Sequence, residues 1–439
     1  MGIKSFYNSS FLRSLAEGLI NPFLPVFALS LGATKILIGL LSTLPNLTSL
    51  FSQLFFGSLT EILKKKLFVI VGGIFWAVFW IPIAYVSDPV HLVILITIQS
   101  VLSSMAIPAW TSLLIQSTPS YKRGSIVGYL NTFSGIGSFI GTLLAGVILN
   151  RFGFIPFFFY IIFFLGLMSR IFFISFREPT SPVYSYKIKE ALKRTFDFSV
   201  LMRDKKILNF VKAITFLNFA VAIAGPFFSV YIIEKLGGTT MDIAIISAIG
   251  VIAAIIFYRS WGTLIDYLGK KTIMLSCLIP ICFIPFVYAI SNNVFWLYVY
   301  AIVAQMSWAG FNMAAFTYLS DIIPKERTSS HIASYNLLTG LSSSAAPFFG
   351  GIIADMVGIW IVFIISTLLR ISSMYFFDKL EERVGFKPKG IFKFEFVPFE
   401  ISYRIETFVS TYSLALHQVK KESVKLIDFR KYLKNLKKK

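Results

Sequence analysis

Apolar stretches of about twenty residues recur along this chain from Phe11 to Phe377, and a helix needs roughly that length to cross ~30 Å of hydrocarbon. The sequence predicts twelve such spans, over residues 10–31, 36–60, 67–86, 90–116, 125–149, 155–176, 207–234, 243–261, 272–290, 294–320, 329–354 and 358–377. Hydrocarbon offers no partner for backbone polar groups, so spans of this length are expected as α-helices. Of the 439 residues, 56% are hydrophobic and 14% charged, too apolar for ordinary water-soluble domains. The first span carries Arg13 and Glu17 and lacks the short apolar core and small-residue cleavage site of a secretory leader, so it reads as a retained helix.

The formal net charge of +20 raises nucleic acid as a partner, and the placement of the charge argues against it. Lys and Arg gather at the amino terminus, at Lys64, Lys65 and Lys66, at Lys122 and Arg123, in 177–206, at Lys270 and Lys271, at Lys325 and Arg327, and in the tail. The alternate loops hold Lys35, Arg151 and Lys235. Such bias in short loops sets orientation, so the basic face is expected in the cytoplasm of a cell-membrane protein, with both termini there. The partners expected are then a lipid bilayer, with anionic lipid at the linker and tail, and a small-molecule substrate, with no nucleic acid.

An internal repeat divides the spans into two sets of six. At an offset of 205, Gly57, Leu59, Glu61, Leu63, Lys65 and Lys66 fall on Gly262, Leu264, Asp266, Leu268, Lys270 and Lys271. The same shift takes Gly32 to Gly237, Ile38 to Ile243, Pro119 to Pro324, Gly146 to Gly351 and Gly153 to Gly358. The expected organisation is a six-helix bundle over 1–176, a cytoplasmic linker over 177–206, a second six-helix bundle over 207–378, and a basic cytoplasmic tail over 379–439. Within the linker, Ile188, Leu192 and Phe196 recur at helical spacing beside Lys187, Lys189, Lys193 and Arg194. That pattern suits a helix lying on headgroups and equally a solvated connector. In the tail, Leu426, Phe429, Leu433 and Leu436 recur beside Lys425, Lys431 and Lys434, as along an inner leaflet.

The loop Gly262-Thr-Leu264-Ile-Asp266-Tyr-Leu-Gly269-Lys270-Lys271 resembles the signature of the major facilitator superfamily, G-x-L-x-D-x-x-G-R/K-R/K. The earlier copy departs from it, with Glu61 for Asp and Lys64 for the second Gly. The resemblance covers residues 1–378 and implies an all-α membrane protein of twelve transmembrane helices in two pseudo-symmetric bundles, acting as a monomeric secondary transporter by alternating access. It further implies that Gly57, Glu61, Lys65, Lys66, Gly262, Asp266, Gly269, Lys270 and Lys271 form a cytoplasmic gate that latches the outward-open state. Gly137, Gly141 and Gly146 in span five resemble the family's antiporter motif without its proline, whereas Pro347, Gly350 and Gly351 in span eleven keep proline and paired glycines. Their small residues predict close helix packing.

Glu17 is the one carboxylate placed well inside a span. A buried Glu resists ionisation and exchanges a proton nearer neutrality, which makes it the proton-coupling candidate. Arg13 lies one turn earlier on the same face, so a structural Arg13–Glu17 pair is the alternative. Arg170 and Arg370, in the outer-type sixth and twelfth spans, read as structural. Near the midplane of the spans expected to line a cavity stand Asn21, Gln99, Trp110, Asn131, Asn218, Gln305, Trp308, Asn312 and Asn336. Pro22, Pro25 and Pro226 are expected to break helices at the site, as in carriers that bind between repeats. An aromatic cavity with a carboxylate would suit a lipophilic or cationic solute, as in drug efflux, and the amides would suit a sugar.

No metal and no cofactor are expected. His91, His331 and His417 are scattered and Cys277 and Cys282 lie on different faces of one span, without metal-ligand spacing. Gly135-x-Gly137 with Gly141 sits inside an apolar span without a preceding strand, and Gly269-Lys270-Lys271-Thr272 lacks the upstream glycine of a phosphate loop. Neither an enzyme nor direct ATP drive is therefore expected. A non-transporting sensor or scaffold of the same fold, or a lipid-handling protein, is the competing reading, and a sensor would have its cavity closed by large apolar side chains.

Overall fold

A computed structural model describes residues 2–60, 64–118, 123–174, 176, 178, 204–323 and 328–381. The linker pattern at 188–196, nearly all of the tail and Glu61 lie outside these residues. The first span is α1 (Gly2–Ile20) with α2 (Leu24–Ser30), and the second is α3 (Lys35–Thr60). The third is α4 (Lys65–Val78) with the short α5 (Trp80–Ile83), and the fourth is α6 (Pro89–Ser103) with α7 (Ala106–Ser117). Then come α8 (Arg123–Phe152) and α9 (Pro156–Ile174). The second half runs α10 (Lys205–Ala222) with α11 (Phe227–Glu234), α12 (Thr240–Leu268), α13 (Lys270–Ile290), α14 (Val294–Ile322), α15 (Thr328–Val357) and α16 (Ile359–Asp378).

Eleven of the twelve predicted spans contain a stretch long and apolar enough to cross a membrane. The first is helical but falls short of that apolarity. Ser9, Ser10, Arg13, Ser14 and Glu17 on α1 face a polar cavity inside the first half, so the helix is shielded from lipid where its sequence is least apolar.

The internal repeat is visible in the packing. In the first half α1 packs on α8 and α9, α3 on α6, and α4 on α6, α7 and α9; in the second, α10 packs on α15 and α16, α12 on α14, and α13 on α14 and α16. These are the same pairings shifted by six spans. The two halves meet where α3 packs on α15 and α8 on α12, with α2 against α11. Gly32 and Gly237, and Gly153 and Gly358, all have positive φ, at 81°, 61°, 69° and 108°. They turn the chain between spans in a conformation that favours glycine. At Gly269, φ is 89°, whereas its repeat mate Lys64 is extended at φ −62°, so the two basic loops are turned by different means.

Helix ends are closed by side chains on the sequence's own terms. Asp88, Asp204 and Asn293 accept hydrogen bonds from the backbone N–H groups of Val90, Lys206 and Phe295. Thr239 and Asp242 form a capping box on α12. The breaks between α1 and α2 and between α10 and α11 fall at Pro22 and beside Pro226, where proline withholds the N–H a continuous helix needs.

Arg370 is 1% exposed, and its place has a local cause. Pro285 lies inside α13 and cannot donate to the carbonyl of Ile281 four residues back. Arg370 Nη1 donates to that carbonyl at 2.9 Å instead. Replacing Arg370 by Met is expected to leave the carbonyl unpaired and lower stability by about 1–3 kcal/mol, read as a depressed thermal midpoint of the detergent-purified protein.

Candidate solute cavity

Between the halves lies a cavity of about 790 Å³. α3 presents Ser42, Asn46, Ser49 and Gln53 to it, and α15 presents Gly340, Ser343, Ser344 and Pro347. Their spacing of three and four residues puts each set on one helical face. The breaks of the first and seventh spans add Asn21, Pro22, Pro25 and Pro226, and Phe228 and Tyr288 supply an aromatic face, their rings 4.6 Å apart between centroids and edge to face. No Asp, Glu, Lys, Arg or His is among the described residues of this wall. Asn21 and Asn46 are exposed to it, while the Gln53 amide donates to Ser49 at 3.0 Å.

One end of the cleft is closed, at the face opposite the basic loops. A Cβ on Gly351 would lie 2.7 Å from the Lys35 carbonyl oxygen and 3.0 Å from Ile36 Cα, so α15 and α3 touch backbone to backbone. Gly39 likewise meets the Pro347 carbonyl, and Gly146 on α8 meets Ala244 on α12. The Asp355 carboxylate at the end of α15 accepts from the backbone N–H groups of Lys35 and Ile36 at 2.8 and 3.0 Å. It thereby caps α3 across the two halves, where the helix dipole favours negative charge. Lys35 Nζ also bonds Glu234 at the end of α11.

The residues of the expected gate behave differently. Lys66 Nζ donates to the Ile174 carbonyl at 2.6 Å, and its repeat mate Lys271 donates to the Asp378 carbonyl. Each joins the start of a third-type span to the end of the sixth-type span of its own half. The backbone N–H of Lys65 donates to Glu178 at 2.9 Å, and Lys270 pairs with Asp321. These contacts brace each half internally. Gly57 and Gly262 face Pro108 Cβ and Met313 Sδ at 3.9 and 3.8 Å from a built Cβ, ordinary contact rather than close approach, and the Asp266 side chain is outside the description.

The small residues of span five fall into two groups. Gly137 and Gly141 on α8 lie against the α1 backbone at Phe11 and Leu15, and Gly18 on α1 lies against the α8 backbone at Ser138, whereas Gly146 and Gly351 sit between the halves. Gly350 packs on Ile223 within the second half.

Of the nine candidate cavity residues, Asn21 lines the cavity. Gln99 is 4% exposed and donates to the Trp76 carbonyl at 2.7 Å, so its amide is already used inside the first half. Trp110 packs edge to face on Phe6 at 4.8 Å, and Trp308 on Phe311 at 5.8 Å. Asn218 is half-buried on α10, and Asn131, Gln305, Asn312 and Asn336 are exposed; none of these belongs to the described wall. Large amides drew the sequence reading, and the serine stripes of α3 and α15 were the signal it passed over.

Arg13 Nε donates to Glu17 Oε1 at 2.6 Å, with the guanidinium stacked over Trp76 at 3.5 Å from the ring centre. The pair lines a second cavity of about 300 Å³, within the first half.

The family model for the Major Facilitator Superfamily matches residues 6–259 and 213–416. The chain belongs to this superfamily. Similar superfamily members include an uncharacterized MFS-type transporter of Methanocaldococcus jannaschii, 26% identical over 276 residues, 62% of this chain and 70% of that one. The multidrug resistance protein MdtG of Enterobacter lignolyticus is 26% identical over 280 residues, 61% of this chain and 65% of its own length. Among solved structures, the nucleoside transporter NupG superposes with a TM-score of 0.68 at 16% identity, covering 86% of this chain and 99% of that one. A bacterial homolog to the human lysosomal transporter Spinster, inward-facing and unoccupied, superposes with a TM-score of 0.61 at 13% identity, covering 85% and 95%. The chain is therefore a multi-span membrane protein of a transporter family.

Proposed function

We propose that this superfamily member carries an uncharged polar organic solute by alternating access, binding it in the cavity between the halves. The carrying observation is the wall itself: amides and hydroxyls from both halves, with no charged side chain among its described residues. A site built of hydrogen-bonding groups selects a solute that satisfies them and rejects one that leaves them unpaired, and Phe228 with Tyr288 offers a face for an apolar or planar part. A cation would find no carboxylate among the described residues of this wall. The cavity's size also speaks for transport over the sensor reading, which expects large apolar side chains filling the cleft.

The cavity is bounded on one side by the α3–α15 and α8–α12 contacts, so its exit lies toward the basic face. With that face in the cytoplasm of the cell membrane, and both termini beside it, the conformation is inward-open. The basic loops at Lys65, Lys66, Lys270 and Lys271 would exchange their bracing contacts for latch contacts between the halves when the cleft reverses.

Purified protein in detergent should gain thermal stability from its solute, because a ligand that binds only the folded state raises the midpoint. Nucleosides, sugars and other neutral polar solutes are expected to include the stabilising class, and lipophilic cations and multiply charged anions are not. A response to cations alone would overturn the neutral-solute reading and favour the efflux of charged drugs.

Proton coupling would run through Glu17, which faces the second cavity and is held by Arg13. Glu17→Gln is then expected to abolish pH-driven uptake in proteoliposomes while leaving solute exchange intact. Wild-type pH-driven uptake by that variant would instead make the Arg13–Glu17 pair structural.

A further inference from the structure

The second cavity, lined by α1, α4, α6, α7, α8 and α9, has a charge imbalance. Its wall holds two guanidinium groups, Arg13 and Arg170, and one carboxylate, Glu17. Glu17 is committed to Arg13. Arg170 is 7% exposed, and its Nε makes no hydrogen bond. Ser9, fully buried beside the same cavity, has an unbonded hydroxyl as well.

The matching arginine of the other half, Arg370, also leaves its Nε unbonded, but its Nη1 is tied to the Ile281 carbonyl. Arg370 on α16 has a carbonyl that Pro285 leaves without its helical donor. The third span has its own proline, Pro82, four residues after Val78, but Arg170 makes no hydrogen bond to a described residue in place of the lost one. Arg170 nonetheless has a place made for it: a Cβ at Gly73 would lie 2.7 Å from its Cζ. A buried charge without a partner is strongly disfavoured, and an anion at the guanidinium would offset that cost.

We propose that this cavity is a binding site for a small monocarboxylate, held by Arg170, with Arg13 contributing charge and Ser9 a hydroxyl. A planar carboxylate matches the guanidinium fork with two parallel hydrogen bonds, and the net charge of the wall is balanced by one negative charge. A cavity of about 300 Å³ admits an acid the size of acetate or lactate. The site is distinct from the solute cavity; among the described residues, Ile107 is the one that lines both. The solute reading therefore stands whether or not this site binds an anion.

The test is the thermal midpoint of the full chain in neutral detergent, with a bulky sulfonate buffer as background, titrated with sodium acetate, sodium lactate and sodium chloride at constant ionic strength. Acetate or lactate is expected to raise the midpoint saturably, and chloride much less. Glu17→Gln removes the competing carboxylate and is expected to tighten acetate binding roughly tenfold or more, given the size of a nearby like-charge term. Gly73→Val displaces the Arg170 side chain without altering charge and is expected to weaken binding to a similar degree. Since Glu17→Gln is a gain of affinity, failure of the valine variant to fold would not rescue the proposal. No saturable shift in the wild type, an equal shift by chloride, or unchanged acetate affinity in Glu17→Gln would each overturn it.

Discussion

Gly351→Leu is expected to leave the protein folded, prevent closure of the face opposite the basic loops, and reduce solute transport to near background. The side chain would enter a contact made by backbone on both sides, Lys35 and Ile36 on α3, where no rotamer change relieves it. Overpacking costs roughly 1–3 kcal/mol, and the rigid contact puts this case at the upper end, about a hundredfold in the population of the closed arrangement. Each half keeps its own packing, so a leucine here disfavours one state of a carrier rather than the fold. Reaction of a cysteine placed at Ser343 with a membrane-impermeant thiol reagent reads the shift. The single variant Ser343→Cys should react from the basic face, and the combination with Gly351→Leu from the opposite face. Asp355→Ala acts on the same end through a cap of about 0.3–1 kcal/mol and should shift the balance only several-fold.

Asn46→Leu is expected to weaken solute binding about tenfold to a hundredfold, the range for about 1.5–3 kcal/mol when a buried hydrogen bond to the solute is lost and its partner is left unpaired. Asn46 is exposed on the cavity wall, with no hydrogen bond from its side chain to another described residue. Its replacement should therefore leave the unliganded thermal midpoint nearly unchanged. That separation of affinity from stability distinguishes a binding residue from a packing one. Gln99→Leu should show the reverse, since its amide is hydrogen-bonded to the Trp76 carbonyl and faces no solute.

The architecture was legible because it rests on periodic and repeated features. Chain-long apolar runs specify helices, and the 205-residue offset already paired Gly32 with Gly237 and Gly153 with Gly358, glycines that prove to turn the chain at equivalent positions. The helix breaks were legible for a similar reason, since Pro22 and Pro226 cannot donate. The site was harder to read. In a membrane bundle, lipid and protein interior are both apolar, so a polar residue's spacing does not say which side of its helix meets the cavity. Gln99 is as polar as Asn21, yet one is spent on a carbonyl and the other faces the cleft. The serines of α3 and α15 look individually like helix glue and become a wall only when the two helices are seen together. Arg370 needed Pro285 in three dimensions to be understood, and Arg170 is conspicuous chiefly by contrast with it.

Counterflow in proteoliposomes tests the central claim most directly, because exchange of labelled for unlabelled solute requires alternating access and no assumption about the driving ion. Vesicles containing the full chain and loaded with a stabilising neutral solute should accumulate the labelled solute transiently and saturably. That accumulation should be lost in Gly351→Leu and shifted to higher solute concentration in Asn46→Leu. Exchange confined to charged solutes, or exchange indifferent to both substitutions, would contradict a carrier of uncharged solutes working through this cavity.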